Sequence, residues 1–313
     1  MGKKSSFPPA LGDDWEAPGG SRGQWAAPCP PPPPPPPEEW VAWLMPLISI
    51  VNTVSFAFSM YVNDCPATHR LDADACVFPS LGQFAFEPLS VNPLFGPSIY
   101  TLDRLGALDF KKVVVEGERW RLFACMWLHA GVIHLLANNL SLLFTGMRLE
   151  EEFGFVKIGL LYILSGFGGS LMSCFSLQSN VSVGASGAIF GLLGAMLSEL
   201  ITNWSIYTNK CTALFSLLVV IAINMAVGAV PHVDSSAHLG GFISGFLLGF
   251  VLLMRPQFGY IRRDHIPPGY NMELLRPKHK VYQYLLSFIA LVILIIGYIY
   301  GLVKLQIVES RLN

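Results

Sequence analysis

The chain has 313 residues and a formal net charge of −1, with 52% hydrophobic and only 13% charged residues. Soluble proteins carry about 25% charged residues, so this composition excludes an ordinary soluble domain. Neither the net charge nor any basic face indicates a nucleic-acid partner. Apolar runs of about 20 residues instead predict an all-α polytopic membrane protein embedded in a lipid bilayer.

Residues 1–39 differ from the rest of the chain, because they are rich in proline and glycine and end in the eight prolines Pro30–Pro37. Such a segment favours an extended polyproline helix and cannot bury enough apolar surface to fold. We interpret it as a disordered tail and spacer, with docking to SH3- or WW-type partners as the alternative. It lacks the apolar core of a cleavable signal peptide.

Seven apolar runs follow, and they predict membrane spans at about 40–61, 130–148, 155–175, 185–202, 212–230, 237–254 and 281–303. The first six form one predicted domain, 40–254, in which the long connection 62–120 is the largest loop. The segment 255–280 is a basic loop, and 281–313 supplies a seventh helix with a short tail. An odd number of spans places the two ends of the chain on opposite sides of the membrane.

The basic residues of the connections predict the orientation. Six lysines and arginines lie in 255–280, whereas the connections 176–184 and 231–236 contain none. Basic loops stay in the cytosol, so we expect a cytosolic N-terminus and a lumenal C-terminus.

The loop 62–120 is then lumenal, where cysteines are oxidised, and we expect Cys65 and Cys76 to form a disulfide. The apolar run 122–130 is too short for a span, and we expect it to lie in the membrane interface.

The segment Gly184-Ala185-Ser186-Gly187-Ala188-Ile189-Phe190 begins the fourth span. Its glycines leave the Ser186 hydroxyl open to approach, and the free N–H groups of the first helical turn lie beside it. These are the requirements of a nucleophile with an oxyanion-binding site. The same small residues are also typical of closely packed membrane helices, so the serine alone does not decide between the two.

Polar side chains within other spans favour the catalytic interpretation. His134 and Asn138 are one turn apart on the second span, and His238 lies at the lumenal start of the sixth. The predicted topology brings all three to the depth of Ser186. Polar side chains inside a membrane cost free energy, so their presence there usually indicates a function.

Glycine spacing predicts that the fourth and sixth helices approach closely. Gly187 and Gly191 form one small-residue ridge, and Gly241 and Gly245 form another beneath His238. His238 could then act as general base for Ser186, although a helix-packing histidine bonded to a carbonyl is the alternative.

The sequence also allows a catalytic triad or a zinc site. Asp234 lies four residues before His238 and would complete a triad, but Pro231–Ser235 has the composition of a surface turn, so a dyad is preferred. His129, His134 and His238 could gather around zinc, but no His-Glu-x-x-His helix or cysteine pair supports this. We therefore expect no metal and no cofactor.

Five motifs together resemble those of the rhomboid family of intramembrane serine proteases. They are Trp120-Arg121, His134-x-x-x-Asn138, Gly146-x-x-x-Glu150-x-x-x-Gly154, Gly184-x-Ser186-Gly187 and Ala237-His238-x-x-Gly241-x-x-x-Gly245, and they span roughly 40–254. A six-helix core followed by a seventh helix resembles the eukaryotic secretory-pathway type. The Asn92–Pro97 and Asn203–Tyr207 segments look most like those of plant members.

This resemblance implies that Ser186 is the nucleophile and His238 its base, with His134, Asn138 and the Ser186 backbone N–H as the oxyanion hole. The supporting residues would be Gly184, Gly187, Gly241, Gly245 and Phe190. Phe190 stands where many bacterial relatives have a tyrosine that stacks on the catalytic histidine. The resemblance also implies that Glu150 buttresses the cytosolic end of the second span, and that Trp120 and Arg121 fix the interfacial loop against lipid headgroups; in the simpler interpretation this pair merely marks the interface.

The expected function is therefore that of an intramembrane serine endopeptidase, a hydrolase of regulated intramembrane proteolysis that cuts single-pass membrane proteins near their lumenal end. The Golgi is the first expected compartment, with the plasma membrane or endoplasmic reticulum as alternatives. A proteolytically silent relative that binds clients for quality control is the alternative function, although such relatives typically lack the serine or the histidine. A transporter is a third class, but no internal repeat supports it.

Overall fold

The fold is seen in a computed structural model that describes residues 41–68, 76–176, 181–204, 207–228, 234–256 and 279–312. Within these ranges the chain is helical, and extended backbone pairs only in two isolated bridges, Val77 with Phe86 and Leu108 with Ser182. The predicted tail 1–39 and most of the basic loop 255–280 lie outside the described residues. Glu39–Asn313 form one compact unit.

Eleven α-helices occur in the described ranges. They are α1 (Leu44–Asn63), α2 (Cys65–Thr68), α3 (Ile99–Leu105), α4 (Phe110–Val114), α5 (Arg121–Ala124), α6 (Val132–Phe153), α7 (Phe155–Ser176), α8 (Ser186–Thr202), α9 (Lys210–Gly228), α10 (Ser235–Leu252) and α11 (Val281–Leu312). Short 3₁₀ turns cover Pro79–Phe84 and Cys125–Trp127. Each of the seven predicted apolar runs is a helix, namely α1 and α6 to α11.

The protein is an integral, multi-pass membrane protein. By length and composition, four helical segments of the described chain can cross a bilayer: Leu44–Thr68, α7, α10 and Val281–Arg311. A fifth is added when α6 is counted together with the segment Arg121–Trp127, which is bent by 92° relative to it. This bend agrees with the prediction that 122–130 does not span the membrane.

α8 is apolar but has only 17 residues. At 1.5 Å per residue it is about 25 Å long, less than the roughly 30 Å hydrocarbon core.

α8 and α10 pack backbone against backbone, as the glycine ridges predict. A Cβ atom on Gly241 would overlap the carbonyl oxygen of Gly187, and one on Gly245 would overlap that of Gly191. Gly169 of α7 also approaches α10 closely, since a Cβ there would lie 2.7 Å from the Ala237 carbonyl oxygen. These three helices therefore form the centre of the fold, and their packing fixes the positions of their ends relative to one another.

The largest departure from the predicted boundaries is α11, which continues from about residue 303 to Leu312. Its 32 residues span about 48 Å, well beyond the hydrocarbon core. The extra turns have protein partners: Leu305 packs in a buried cluster with Val113 and Val114. Glu309 also forms a 2.7 Å ion pair with Arg119. Hydropathy does not detect this extension, because the partners, rather than lipid, stabilise it.

Glu150 joins two helices that are remote in sequence. It is fully buried, and its Oε1 accepts hydrogen bonds from the backbone N–H groups of Trp43 (3.0 Å) and Leu44 (2.9 Å). Its Oε2 accepts one from the Met45 N–H at 2.9 Å. The carboxylate therefore caps the first turn of α1, whose N–H groups lack partners within the helix. The structural role that the resemblance implies for Glu150, at the end of the second span, is thus to cap the N-terminus of the first span.

The loop 62–120 is built around polar contacts. The predicted disulfide joins Cys65 and Cys76, whose Cα atoms are 6.2 Å apart.

The expectation that Arg121 contacts lipid headgroups is wrong, because its side chain is buried. The guanidinium donates to the carbonyl oxygens of Asp103 (2.6 Å) and Ala107 (2.8 Å) and to the Glu118 carboxylate (2.5 Å). Arg121 therefore ties α5 to the preceding loop instead of to lipid.

Candidate active site

The N-terminal turn of α6 is held by the loop Asn92–Pro97. The Asn92 amide donates to the carbonyl oxygens of Pro97 (2.8 Å) and Ala130 (2.7 Å). The N–H of Val132, in the first turn of α6, donates to the Phe95 carbonyl oxygen at 2.9 Å. These bonds satisfy backbone groups at the start of the helix and so fix the position of His134, which lies in that turn.

His134 and Asn138 lie against the backbone that leads into Ser186. Gly184 has a φ of +130°, which favours glycine, and a Cβ there would be 2.7 Å from the His134 ring and 3.7 Å from the Asn138 amide nitrogen. That amide nitrogen is buried and has no hydrogen-bond partner in the described part of the chain. Two potential donors thus lie beside Gly184, two residues before Ser186, and an oxyanion hole requires donors near the nucleophile.

Phe190 contacts His238 directly. The two rings are stacked, with centroids 4.3 Å apart and planes inclined by 16°. Phe190 is one helical turn after Ser186, so the imidazole lies beside the first turn of α8. Nε2 of His238 is buried and without a hydrogen-bond partner among the described residues. No hydrogen bond joins it to the Ser186 hydroxyl there, and catalytic pairs often close only when substrate binds.

A cavity of about 10 Å³ lies beside Ser186 and is also lined by Gly184 and Ala237, the residue before His238. This volume corresponds to about one water molecule.

Asp234 is the N-cap of α10 and not part of a loose turn. Its Oδ1 accepts hydrogen bonds from the N–H groups of Ser236 (3.0 Å) and Ala237 (3.1 Å). Its Oδ2 accepts one from the hydroxyl of Ser173 on α7. No hydrogen bond between this carboxylate and the His238 imidazole occurs in the described ranges, which fits the preference for a dyad over a triad. The rest of the predicted turn, 231–233, lies outside the described residues.

His129 precedes α6, and its ring centroid is 5.4 Å from that of His134. Both of its ring nitrogens are buried without a hydrogen-bond partner in the described part of the chain, and we have no role for it. The described residues contain no group of three His, Cys, Asp or Glu side chains placed to bind a metal ion.

Comparison with known proteins identifies the family. The family model for the Rhomboid domain matches residues 116–255, which include Ser186, His238, His134 and Asn138. RHOMBOID-like protein 5 of Arabidopsis thaliana is 54% identical over 308 residues, covering 97% of this chain and 95% of the relative. This chain belongs to the rhomboid family.

Two further relatives place this rhomboid among the plant members. RHOMBOID-like protein 1 of Arabidopsis thaliana is 58% identical over 266 residues, or 85% of this chain and 67% of the relative. Inactive RHOMBOID-like protein 8 of the same plant is 38% identical over 223 residues, or 71% of this chain and 63% of the relative. The family therefore includes a plant protein that is named inactive, so family membership alone does not establish activity and the site residues must be considered.

Several contacts that support the site of this rhomboid do not follow from its motifs. Asn92 belongs to a loop that looks plant-like, and asparagine before proline, a common signal of a turn, is the sequence feature that could have marked its role. Asp234 directly precedes the apolar helix, and an aspartate in that position is a recognisable N-cap. Gly184 was identified as a supporting residue, but its contact with His134 depends on the tertiary packing of α6 against α8.

The stack of Phe190 on His238 predicts the behaviour of two variants. Phe190→Tyr should retain activity, since it keeps the ring. Phe190→Ala should lower the turnover number by about tenfold, because an aromatic contact is worth roughly 0.5–1.5 kcal/mol and its loss frees the imidazole to rotate. Cleavage rate and thermal stability should be measured together. If Phe190→Ala cleaved as fast as the parent, the ring would be ordinary helix packing.

Proposed function

We propose that this rhomboid is an intramembrane serine endopeptidase that cleaves single-pass membrane proteins near their lumenal end. The observation that supports this best is the stack of His238 on Phe190, which is one helical turn after Ser186; the buried Nε2 of this imidazole has no hydrogen-bond partner among the described residues. A base beside a serine framed by glycines is the arrangement that nucleophilic catalysis requires.

In the proposed mechanism, the Ser186 hydroxyl attacks the carbonyl carbon of the scissile peptide while His238 Nε2 accepts its proton. Negative charge develops on the carbonyl oxygen and is stabilised by the Asn138 amide, by His134 and by the Ser186 backbone N–H. The protonated imidazole then donates its proton to the leaving amine, which leaves an acyl-enzyme. Water hydrolyses this ester, with His238 again as the base.

Access of substrate and water shapes this proposal. A transmembrane helix hides its carbonyl groups in its own hydrogen bonds, so it must unwind locally before Ser186 can attack. Helix-weakening residues near the lumenal end of the substrate should therefore favour cleavage. Water would enter from the same side, through the polar ends of α6, α8 and α10.

The second candidate function is that of a proteolytically silent rhomboid that binds client proteins. It is supported by the 38% identity to a plant relative that is named inactive. The retention of both Ser186 and His238 favours the protease. Labelling of the purified protein by a fluorophosphonate or an isocoumarin, together with cleavage of a panel of tagged single-pass substrates, tests the two candidates. An active protease should show labelling that requires Ser186, whereas a silent relative should show neither labelling nor cleavage.

We also propose a cytosolic N-terminus, a lumenal C-terminus and residence in the secretory pathway, foremost the Golgi. The orientation is supported by the six basic residues of 255–280. A tag after Asn313 should be protected from protease added to sealed vesicles, whereas a tag before Met1 should be digested. Finding both tags on one side would remove one span from this topology. Microscopy of the tagged protein against organelle markers tests the compartment.

A further inference from the structure

A second cavity lies at the opposite end of the helices from Ser186. It has a volume of about 540 Å³, is open on one side, and is lined by α6, α8 and α9 and by Tyr207, Thr208 and Asn209. Small-molecule sites typically have volumes of about 300–1,000 Å³. Arg148 on its wall is 14 residues after His134 on α6, so it lies roughly 21 Å along the helix from that candidate oxyanion donor.

The lining of this cavity changes along its length. The part nearer the middle of the helices is apolar and includes Phe144, Met196, Leu217 and Val220. The part nearer the helix ends is polar and includes Arg148, Tyr207, Thr208, Asn209 and Thr212. The cavity is therefore amphipathic and matches a ligand with a polar head and an apolar chain.

The formal charges at the polar end cancel, and Arg148 is the charged side chain there that has no ion-pair partner among the described residues. Two carboxylates, Glu152 and Glu199, also line the cavity, but Arg255 lies 2.6 Å from the first and 3.0 Å from the second. Tyr207 donates a further hydrogen bond of 2.6 Å to Glu199. Arg148 is exposed and forms no hydrogen bond or ion pair with the part of the chain that the structure describes. Its guanidinium is thus available to an anionic group.

Neighbouring residues place the polar end at headgroup depth. Trp204 follows α8 directly, and the Lys210 ammonium lies 5.7 Å from the centre of its ring. Tryptophan and lysine are typical of the membrane–water interface. In the proposed orientation this is the cytosolic leaflet, in which the anionic lipids are concentrated.

We propose that this cavity binds an anionic diacyl phospholipid of the cytosolic leaflet. The phosphate contacts Arg148, and one acyl chain lies along the apolar wall. The proposal rests on the proposed orientation and not on proteolytic activity.

Occupation of the cavity also bears on the candidate active site. Leu217 and Val220 line the cavity and belong to the buried cluster that contains Phe190. Phe190 in turn stacks on His238. A lipid that holds α9 against this cluster stabilises the position of the ring, so anionic lipid should also raise the cleavage rate.

The test measures lipid binding to the purified full chain by native mass spectrometry, with phosphatidylserine and phosphatidylcholine as probes. Phosphatidylserine should bind more tightly to the parent. Arg148→Gln should weaken its binding about fivefold, as expected for one cation at a lipid surface, and Arg148→Lys should retain most of it. Ala213→Phe, which narrows the cavity, should weaken the binding of both lipids.

Lys157→Gln is the matched control. Lys157 is an exposed cation in the first turn of α7, which follows the C-terminal end of α6 where Arg148 lies, but it does not line the cavity. It should leave binding unchanged. Equal weakening by Lys157→Gln and Arg148→Gln would show surface attraction alone and overturn the proposal, as would unchanged binding in Ala213→Phe. Displacement of the lipid by a substrate transmembrane peptide would assign the cavity to substrate instead. Ser186→Ala should bind lipid like the parent, so failure here is distinct from failure of the proposed protease function.

Discussion

Replacement of Ser186 or His238 by alanine should abolish cleavage of a transmembrane substrate while expression and thermal stability stay near those of the parent. Removal of a member of a serine–base pair lowers turnover by about 10⁴-fold or more. The folding cost should be small, because His238 Nε2 has no hydrogen-bond partner among the described residues and Ser186 begins its helix. Fluorophosphonate labelling should disappear with Ser186→Ala.

Asn138→Ala provides the graded comparison for this experiment. Removal of one oxyanion donor costs about 3–4 kcal/mol in activation free energy, which corresponds to roughly 10²–10³-fold in rate. Its amide nitrogen has no partner within the described ranges, so the loss of this group should hardly change stability. Near-normal turnover of either Ser186→Ala or His238→Ala would refute the dyad. A loss in Asn138→Ala as large as theirs would indicate misfolding of the site.

The long apolar helices could be predicted from the sequence because they depend on local patterns. Apolar runs of helical length give the spans, and small residues four apart give the close approach of α8 to α10. The stack of Phe190 on His238 could also be anticipated, since Phe190 shares a face with Ser186 one turn earlier. These features require only helical periodicity and a common side of the membrane.

Contacts between remote polar groups could not be predicted in this way. Arg121 occurs in a motif that looks interfacial, yet it is buried because carbonyl oxygens 14 and 18 residues earlier accept its hydrogen bonds. No periodicity marks such a pair, and a cation near a membrane surface more often faces lipid headgroups. Hydropathy does not predict the extension of α11 either, because the partners of Leu305, Val113 and Val114, lie far away in the sequence.

Glu150 is the clearest case, since its three backbone partners are 105 to 107 residues distant. Its position near the end of an apolar helix indicates only that a carboxylate is tolerated there. Complete burial is what changes the interpretation, because a buried carboxylate must be compensated by hydrogen bonds. The compensation here comes from a helix N-terminus, where both the free N–H groups and the helix dipole favour negative charge.

Glu150→Ala should therefore lower the free energy of unfolding by about 2–4 kcal/mol. Each hydrogen bond to a charged group contributes roughly 1.5–3 kcal/mol, and water at the nearby membrane surface would recover part of the loss of three. Glu150→Gln should lower the free energy of unfolding by less than Glu150→Ala, because the amide oxygen can still accept hydrogen bonds. Some loss should remain, since the NH₂ group faces a backbone N–H and cannot accept its hydrogen bond. Glu151→Ala is the matched control, since Glu151 is exposed and its loss should change stability by less than about 0.5 kcal/mol.

Thermal unfolding in detergent and the cleavage rate at low temperature separate the two contributions of Glu150. Because the carboxylate contacts α1 and none of the candidate catalytic residues, Glu150→Ala should lose stability first and should cleave at a nearly normal rate while folded. Its melting temperature should fall well below that of Glu151→Ala. If both variants melted together, the cap on α1 would contribute nothing measurable. If Glu150→Ala melted normally but failed to cleave, the position of α1 would control the site rather than the stability of the fold.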